Sequence, residues 1–370
     1  MQIELVTDLL RLNEFADSWD KLACEVNQPR AGARIVAAWA HHMMDSDSEL
    51  RVWIATEGDQ VIGVLPLVAE SLPRGRERLL PPAATLMYGS IPIAKPSAAR
   101  EVAVALVAEC VNSTPLANVV GLDAMPSGSP WIEAFSSSLQ GPEWVALSPI
   151  RHSSLYIDLE EGVEEWFGRR QSKFKREVRR RARIQDAEGF CLSATTDHAE
   201  IIERLPAVQT LYTTRQQARG GYGYRFDGTM IDAIKEVLAL STPGHLRLTT
   251  IERGDLVIAM QLELLAGHRR SAWMMGFDSC WGQLGPGKAV LAGAVAANAD
   301  DGSKIFDLGG GDEAYKNDFA DGGYPLEDWI WCSPRMARLL RPRPDTPCTG
   351  ETSSVCPPTV DESRRVPTNA

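Results

Sequence analysis

Three stretches carry residues whose types and spacing suit chemistry. The run Gly282-Gln-Leu-Gly-Pro-Gly-Lys-Ala289 follows a strand pattern and opens a helical one. Amides at a glycine-rich helix start point outward, and the helix dipole favours an anion there. A phosphate or pyrophosphate is therefore the natural ligand of Gly282, Gln283, Gly285, Gly287 and Lys288. The string also fits G-x-x-x-x-G-K, but Ala289 stands where a P-loop needs Ser or Thr for magnesium, which argues against a P-loop. The plainer alternative is a glycine turn with Pro286 at the first helical position.

The second stretch is Phe306-Asp-Leu-Gly-Gly-Gly-Asp-Glu-Ala-Tyr-Lys-Asn-Asp-Phe319. It places Asp307 near a strand end and Asp312, Tyr315 and Lys316 within five positions. Such groups supply a base, a proton donor and a cation for developing negative charge. The alternative is a capped turn with Lys316 solvated. The third stretch is Arg169 to Arg183, in which nine of fifteen residues are Lys or Arg. Trp166, Phe167, Phe174, Val178 and Ala182 give it a narrow apolar stripe at helical spacing. Lys173, Lys175, Arg176, Arg179 and Arg180 then fan out as contacts for a phosphate-rich partner, a nucleotide or tRNA, unless they form a merely solvated face. Tyr212 and Arg215, one helical turn apart, join Tyr224 and Arg225 as pocket-lining candidates, with packing as the alternative.

Elements of an α/β chain must position these groups. Helical spacing is read over Phe15 to Cys24, Arg100 to Val111, Glu160 to Gly189 as one helix, Ile201 to Arg219 with Pro206 limiting how early it begins, Thr229 to Leu240, and Pro286 to Asn298. Arg51 to Leu67 is a hairpin around Glu57-Gly-Asp-Gln60, with Pro66 expected at an edge or bulge. Strands are read at Val119 to Asp123, Ser154 to Asp158, Leu246 to Glu252, Leu256 to Leu265, Arg270 to Phe277, Ile305 to Leu308 and Trp329 to Cys332. Trp273 and Trp281 read as core. Asp278 either orients the glycine loop or turns the chain, and His41-His42 reads as a helix-surface pair.

Composition bounds the function classes. The 370 residues carry 38 Lys+Arg against 49 Asp+Glu, with 44% apolar residues. These values exclude a collagen, a disordered chain and a disulfide miniprotein. The net charge of −11 counts against a generic nucleic-acid coat. It is an average, however, over a net −8 in residues 1–150 and a net −3 in 151–340, where the basic run lies. The N-terminus lacks a basic segment before its apolar stretch, so no secretory signal is read, and a cytoplasmic location is expected. The near-apolar run Ala289 to Ala299 is far short of the roughly 20 residues of a membrane span. Seven cysteines without metal-ligand spacing read as reduced, buried thiols, and no metal site is expected. No G-x-S-x-G elbow supports a serine hydrolase. Residues 341–370 hold six Pro and many Ser and Thr, and read as a disordered tail.

Read in order, Ser172-Lys-Phe-Lys-Arg-Glu-Val-Arg-Arg180, Leu246-Arg-Leu, Val257-Ile-Ala-Met-Gln261, Gly276-Phe-Asp, Gly285-Pro-Gly and Phe306 to Lys316 resemble one family pattern. It is similar to the CelD-like acetyltransferase branch of the GNAT superfamily, related to FemX/FemAB aminoacyl-tRNA-dependent enzymes. The match spans about residues 150–335, and residues 1–150 look like a degenerate first unit carrying Val61-Ile-Gly-Val-Leu-Pro-Leu67. The resemblance implies two tandem α/β units, each a mixed, mostly antiparallel twisted sheet flanked by helices, at 1–150 and 151–340, with an acceptor cleft between them. It implies transfer of an acyl group to an amine without a covalent enzyme intermediate. The donor is a co-substrate, acyl-CoA or aminoacyl-tRNA, and no tightly bound cofactor is expected. The acceptor is a small-molecule or peptide amine, and helix 169–183 is the place for tRNA.

Gly282 to Gly287 looks like the superfamily's pyrophosphate loop, although Gly282 replaces its usual Arg or Gln. Lys316 looks like the lysine of the FemX-like Tyr-Lys segment, which helps bind or polarise the donor. Asp307 and Asp312 are the candidate bases. A FemX-like peptide-bond-forming enzyme of cell-wall or specialised-metabolite biosynthesis is the second reading, although the inserted coiled-coil arm of tRNA users is not seen. A catalytically inactive binding protein is the third.

Overall fold

The computed structural model describes residues 1–82, 90–218, 228–242, 244–311 and 313–340. Asp312, Tyr224, Arg225 and the 341–370 tail lie outside the described residues.

The first half runs β1 (Gln2–Val6), α1 (Leu9–Glu25), α2 (Ala33–His42), β2 (Ser48–Glu57), β3 (Gln60–Leu72), β4 (Arg76–Leu80), β5 (Ile93–Ala94), α3 (Ala99–Ser113), β6 (Ala117–Pro126), α4 (Pro130–Ser138) and β7 (Val145–Ala146). The second half runs β8 (Ile150–Asp158), α5 (Gly162–Arg169), α6 (Ser172–Ala187), β9 (Cys191–Thr195), α7 (His198–Ala218), α8 (Gly228–Leu240), β10 (Leu246–Arg253) and β11 (Leu256–Ala266). It ends with β12 (Arg269–Phe277), α9 (Pro286–Asp300), β13 (Ile305–Gly310), α10 (Ala314–Phe319), β14 (Gly322–Cys332) and α11 (Pro334–Leu340).

All strands join one mixed, mostly antiparallel sheet, in the order β1-β2-β3-β4-β6-β14-β8-β13-β12-β11-β10-β9, with β5 on β3 and β7 on β14. The last strand, β14, lies between β6 of the first half and β8 of the second. Period-2 alternation sorts the side chains between the faces. Val52 and Ile54 of β2 join Leu248 of β10 and Met260 of β11 in one core, under α1, α2, α7 and α8 from both halves. Trp53 and Ala55 turn the other way, into a first-half core with α3 and α4. Phe306, Val290 and Phe319 centre the corresponding second-half core. Buried Arg247, Arg270 and Asn298, with the more exposed Asp301, tie β10 and β12 to α9: Arg247 donates to Asn298 at 2.8 Å and to Asp301 at 2.6 Å, and Arg270 donates to Asp301 at 2.7 Å.

Several expectations need correction. The helix read over 160–189 is two helices, because Gln171 is extended (φ −61°, ψ 147°) between α5 and α6. Helix α7 begins at His198, with Pro206 inside it. The missing amide at Pro206 costs a helical hydrogen bond, and burial of Ile201, Leu205 and Val208 on either side outweighs it. Pro66 sits in an interior strand opposite Val52, between the stretch of β3 that pairs β5 and the stretch that pairs β4. The five described cysteines are free thiols, but Cys24, Cys191 and Cys280 are exposed, while Cys110 and Cys332 are buried. Among the described residues no helix is long and apolar enough to cross a membrane.

Candidate functional site

Strands β12 and β13 run parallel but pair over three residues only, Arg269 to Ser271 against Ile305 to Asp307. Beyond Ser271 and Asp307 they part. β13 follows β8 instead, and its register there slips between Asp307 and Gly310. The slip is built by Gly309, whose φ of +73° suits glycine, with its amide turned to Asp307 Oδ1 at 2.8 Å. The result is a fork in the sheet with its floor at Asp307.

Asp307 is 4% exposed and fully occupied. Its carboxylate accepts from Ser154 Oγ at 2.7 Å, from Arg269 at 2.8 Å, and from the Tyr324 hydroxyl as well as from Gly309. Burial by itself would raise its pKa, but the charges of Arg30 and Arg269 and the hydrogen bonds hold it down at about 2. A carboxylate so saturated and so weakly basic is unsuited to take a proton from an amine, which argues against the base role read from sequence. Arg30 comes from the first half, where it donates to the Ala272 carbonyl on β12 at 3.3 Å.

Two cations flank the fork. Arg215 of α7 donates to the Met275 carbonyl on β12 at 2.6 Å. Lys316 of α10 is 6% exposed, donates to the Gly310 carbonyl at the end of β13 at 2.6 Å, and pairs with Glu313 at 2.8 Å. Burial lowers its pKa, Glu313 opposes that shift, and the charge of Arg215 adds to it. Tyr315 packs at the margin of the second-half core. Tyr212 is buried in the shared core, the packing alternative.

The glycine loop stands at the open end. Asp278 caps a short 3-10 turn, Ser279–Leu284, through Cys280 N at 2.9 Å, and this turn holds Gly282 and Gln283. Gly285 ends it at φ +65° and is the N-cap of α9, with no side chain capping the helix. Gly287 lies buried in the first turn against the Phe277 ring. Its amide and that of Lys288 are among the first-turn amides that a helix cannot satisfy internally.

The basic helix meets this loop. Gln185 of α6 donates to the Leu284 carbonyl at 3.1 Å. The Arg181 guanidinium lies across Gly285 so closely that a Cβ there would fall 1.5 Å from its Nη1. Glu177 holds Arg181 at 2.9 Å. Lys288 is engaged elsewhere, pairing at 2.8 Å with Asp318 of α10 and bridging the two sides of the fork.

The nine cations of the basic run divide by role. Arg170 donates to the carbonyls of Phe319 and Ala320 at 2.7 and 2.6 Å, and Arg169 donates to the Asp158 carbonyl at 2.7 Å. Both pair with Asp321. Lys175 reaches the Gly168 carbonyl at 2.9 Å, and Arg179 covers the Phe167 ring. Lys173, Arg176, Arg180 and Arg183 are exposed. Trp166 and Phe174 form the buried stripe, whereas Ala182 is exposed.

Sequence reasoning missed Arg181, Glu313, Arg269, Ser154 and Tyr324. Arg181 had a signal, since it lies one helical turn beyond Val178 on the stripe side of the helix. Glu313 had one too, three positions before Lys316, and the other three had none that a linear pattern exposes. A hollow of about 780 Å3 beside Met1 and the start of α3 shares no residue with this site.

Comparison with known proteins shows a matching domain profile and structures of the same fold. Residues 172–317 match the profile described as Acetyltransferase (GNAT) domain. The crystal structure of FemX superposes with a TM-score of 0.62 at 12% identity, over 92% of this chain and 99% of that one. The C-terminal domain of a putative lysylphosphatidylglycerol synthetase from Agrobacterium fabrum gives 0.56 at 10%, over 89% and 94%. L-PGS from Bacillus licheniformis gives 0.54 at 8%, over 90% and 95%. No curated protein matches the sequence.

Proposed function

We propose that this chain, whose residues 172–317 match the GNAT domain profile and whose fold is that of FemX, is an acyl or aminoacyl transferase that acylates an amine by direct attack on a phosphate-bearing donor. The observation that carries the proposal is Arg181 lying across the uncapped start of α9 at the open end of the fork. A guanidinium and first-turn amides together make an anion site.

The donor's phosphate sits there and its acyl carbonyl enters between β12 and β13. The amine nitrogen attacks the carbonyl carbon, the C–S or C–O bond to the donor breaks, and the proton lost by the amine passes through water to the departing thiolate or alkoxide. Lys316 stabilises the oxyanion. An ammonium has three protons, and Gly310 and Glu313 use two of them. The third is available for the developing charge, a contribution of a few kcal/mol in a site that excludes water. Asp307 is a positioning residue: it fixes Gly309, which sets the Gly310 carbonyl that holds Lys316. The two halves share the floor through Arg30, which supports an acceptor site between them.

Acyl-CoA is the first donor reading, because a single pyrophosphate matches a single helix start. Aminoacyl-tRNA is the second, favoured by the exposed Lys173, Arg176, Arg180 and Arg183 on the helix that delivers Arg181. Calorimetric titration with CoA, acetyl-CoA and charged tRNA tests both. Binding of a CoA ester that is lost on Arg181→Ala supports the first. Binding of tRNA with a steep salt slope, weakened by Arg176→Ala and Arg180→Ala, supports the second. Binding of neither removes the transferase reading and leaves a binding protein.

A further inference from the structure

Far from the fork, the last turn of α2 faces the middle of α8. His41 Nδ1 lies 2.8 Å and His42 Nε2 2.6 Å from the same oxygen of Glu236, Oε2. The two rings stand 4.4 Å apart, inclined by 32°. The three donor atoms lie within 4.8 Å of one another. Glu236 is three-quarters shielded, and so is His42, while His41 is open to solvent. Behind them Ile35, Ala38 and Trp39 of α2 and Ala233, Ile234 and Val237 of α8 share one core, so the backbone positions of the cluster are fixed.

We propose that His41, His42 and Glu236 form a binding site for a zinc-class divalent metal that joins the two halves of the chain. Two imidazoles and a carboxylate are a borderline-soft N2O set, which suits zinc and its first-row neighbours rather than calcium or magnesium. A tetrahedral zinc with ligands at about 2.0–2.2 Å separates them by roughly 3.4 Å. Glu236 Oε2 lies 2.8 and 2.6 Å from the two ring nitrogens, so the carboxylate draws back by roughly 0.6–0.8 Å as the ion enters. The bound form takes each imidazole with its proton on the nitrogen away from the ion, and Glu236 as a carboxylate. Water completes the coordination on the exposed side of His41. The ion links residues 42 and 236 across the seam, which adds a cross-connection that the apolar contacts lack. The site is independent of the transferase reading.

The test is calorimetric titration of the untagged full chain with zinc chloride, alongside thermal melting and X-ray absorption at the zinc edge. One zinc per chain, a melting temperature raised by a few degrees and a mixed imidazole and oxygen shell are expected. His42→Ala and Glu236→Gln should weaken binding roughly tenfold or more, and His268→Ala should leave it unchanged. His41→Ala, at an exposed position, keeps the test valid if His42→Ala fails to fold. Zinc that binds equally well to all the variants, or a sulfur shell from exposed Cys24, Cys191 or Cys280, overturns the proposal. So does a failure to bind zinc at all, which leaves an ordinary hydrogen-bonded cluster.

Discussion

Two parallel strand pairs in this chain are each joined through a helix, and they are filled in opposite ways. β4 and β6 pair over Glu77 to Leu79 and are connected through β5 and α3. Leu122 and Trp331 continue the core of Leu79 and Val120 beyond that pairing, and Leu80 lies against Gly121, while the pKa of Asp123, next along β6, is pushed up to about 6 by burial and by Asp328. α3 starts at Ala98 without a side-chain cap and carries Glu101 in its first turn, which repels an anion. β12 and β13 pair over the same short length and are connected through α9. There the space beyond holds Asp307, Arg215 and Lys316, and α9 starts at Gly285 under Arg181. A parallel pair that parts leaves a gap wherever it occurs. Apolar side chains turn one gap into core, and buried charges with a bare helix start keep the other fit for a ligand.

The contrast breaks most readily at Lys316. Lys316→Met keeps the volume but removes the charge, and turnover should fall by about 10²–10³. Single-turnover kinetics checks it, with Glu101→Ala in the first half as the variant that changes nothing. Wild-type turnover in Lys316→Met would make the two gaps equivalent.

Asp307→Asn should cost about 3 kcal/mol, because Arg269 is left buried without its partner's charge. Urea unfolding measures it. The same carboxylate sets a pH dependence. Its folded pKa of about 2 lies below the ordinary 3.8. Its contribution to stability is therefore complete above about pH 4 and is lost as the pH falls towards 2. Unfolding in acid should show that loss in the wild type and a flatter profile in Asp307→Asn.

Arg181→Ala should weaken donor binding roughly tenfold, the loss of one charge-assisted contact, with the melting temperature nearly unchanged. Equilibrium titration of the donor separates this from a structural effect. The smallest effect is expected for Lys288→Ala. Its pair with Asp318 is half exposed, so less than about 1 kcal/mol of stability should go. A larger loss in donor binding would return Lys288 to the anion site.

Much of the fork was legible before folding. The glycine loop, the strand bearing Asp307 and the following Lys316 are local patterns, and local geometry such as a helix start or a chain turn is written in consecutive residues. The basic run was legible as well, but not its division of labour. Arg169 and Arg170 look like their neighbours in sequence, yet both are spent on Asp321, and Arg170 also on carbonyls 149 and 150 positions away. The bonding around Asp307 was hidden for the same reason. Its donors come from Ser154, Arg269 and Tyr324, which no spacing links to it. The single helix read over 160–189 failed because Arg170 turns inward at a break that helical periodicity passes over.

The sequence by itself determined the elements and the chemistry available to them. Alternation fixed which face of each strand is apolar, and glycines with Pro286 fixed where α9 begins. Only the tertiary structure decided which charges are used up and which stay available. That depends on burial and on partners distant in the chain. The fold alone brings Arg181 over Gly285, Lys316 onto Gly310, and Glu236 to the two histidines of the other half.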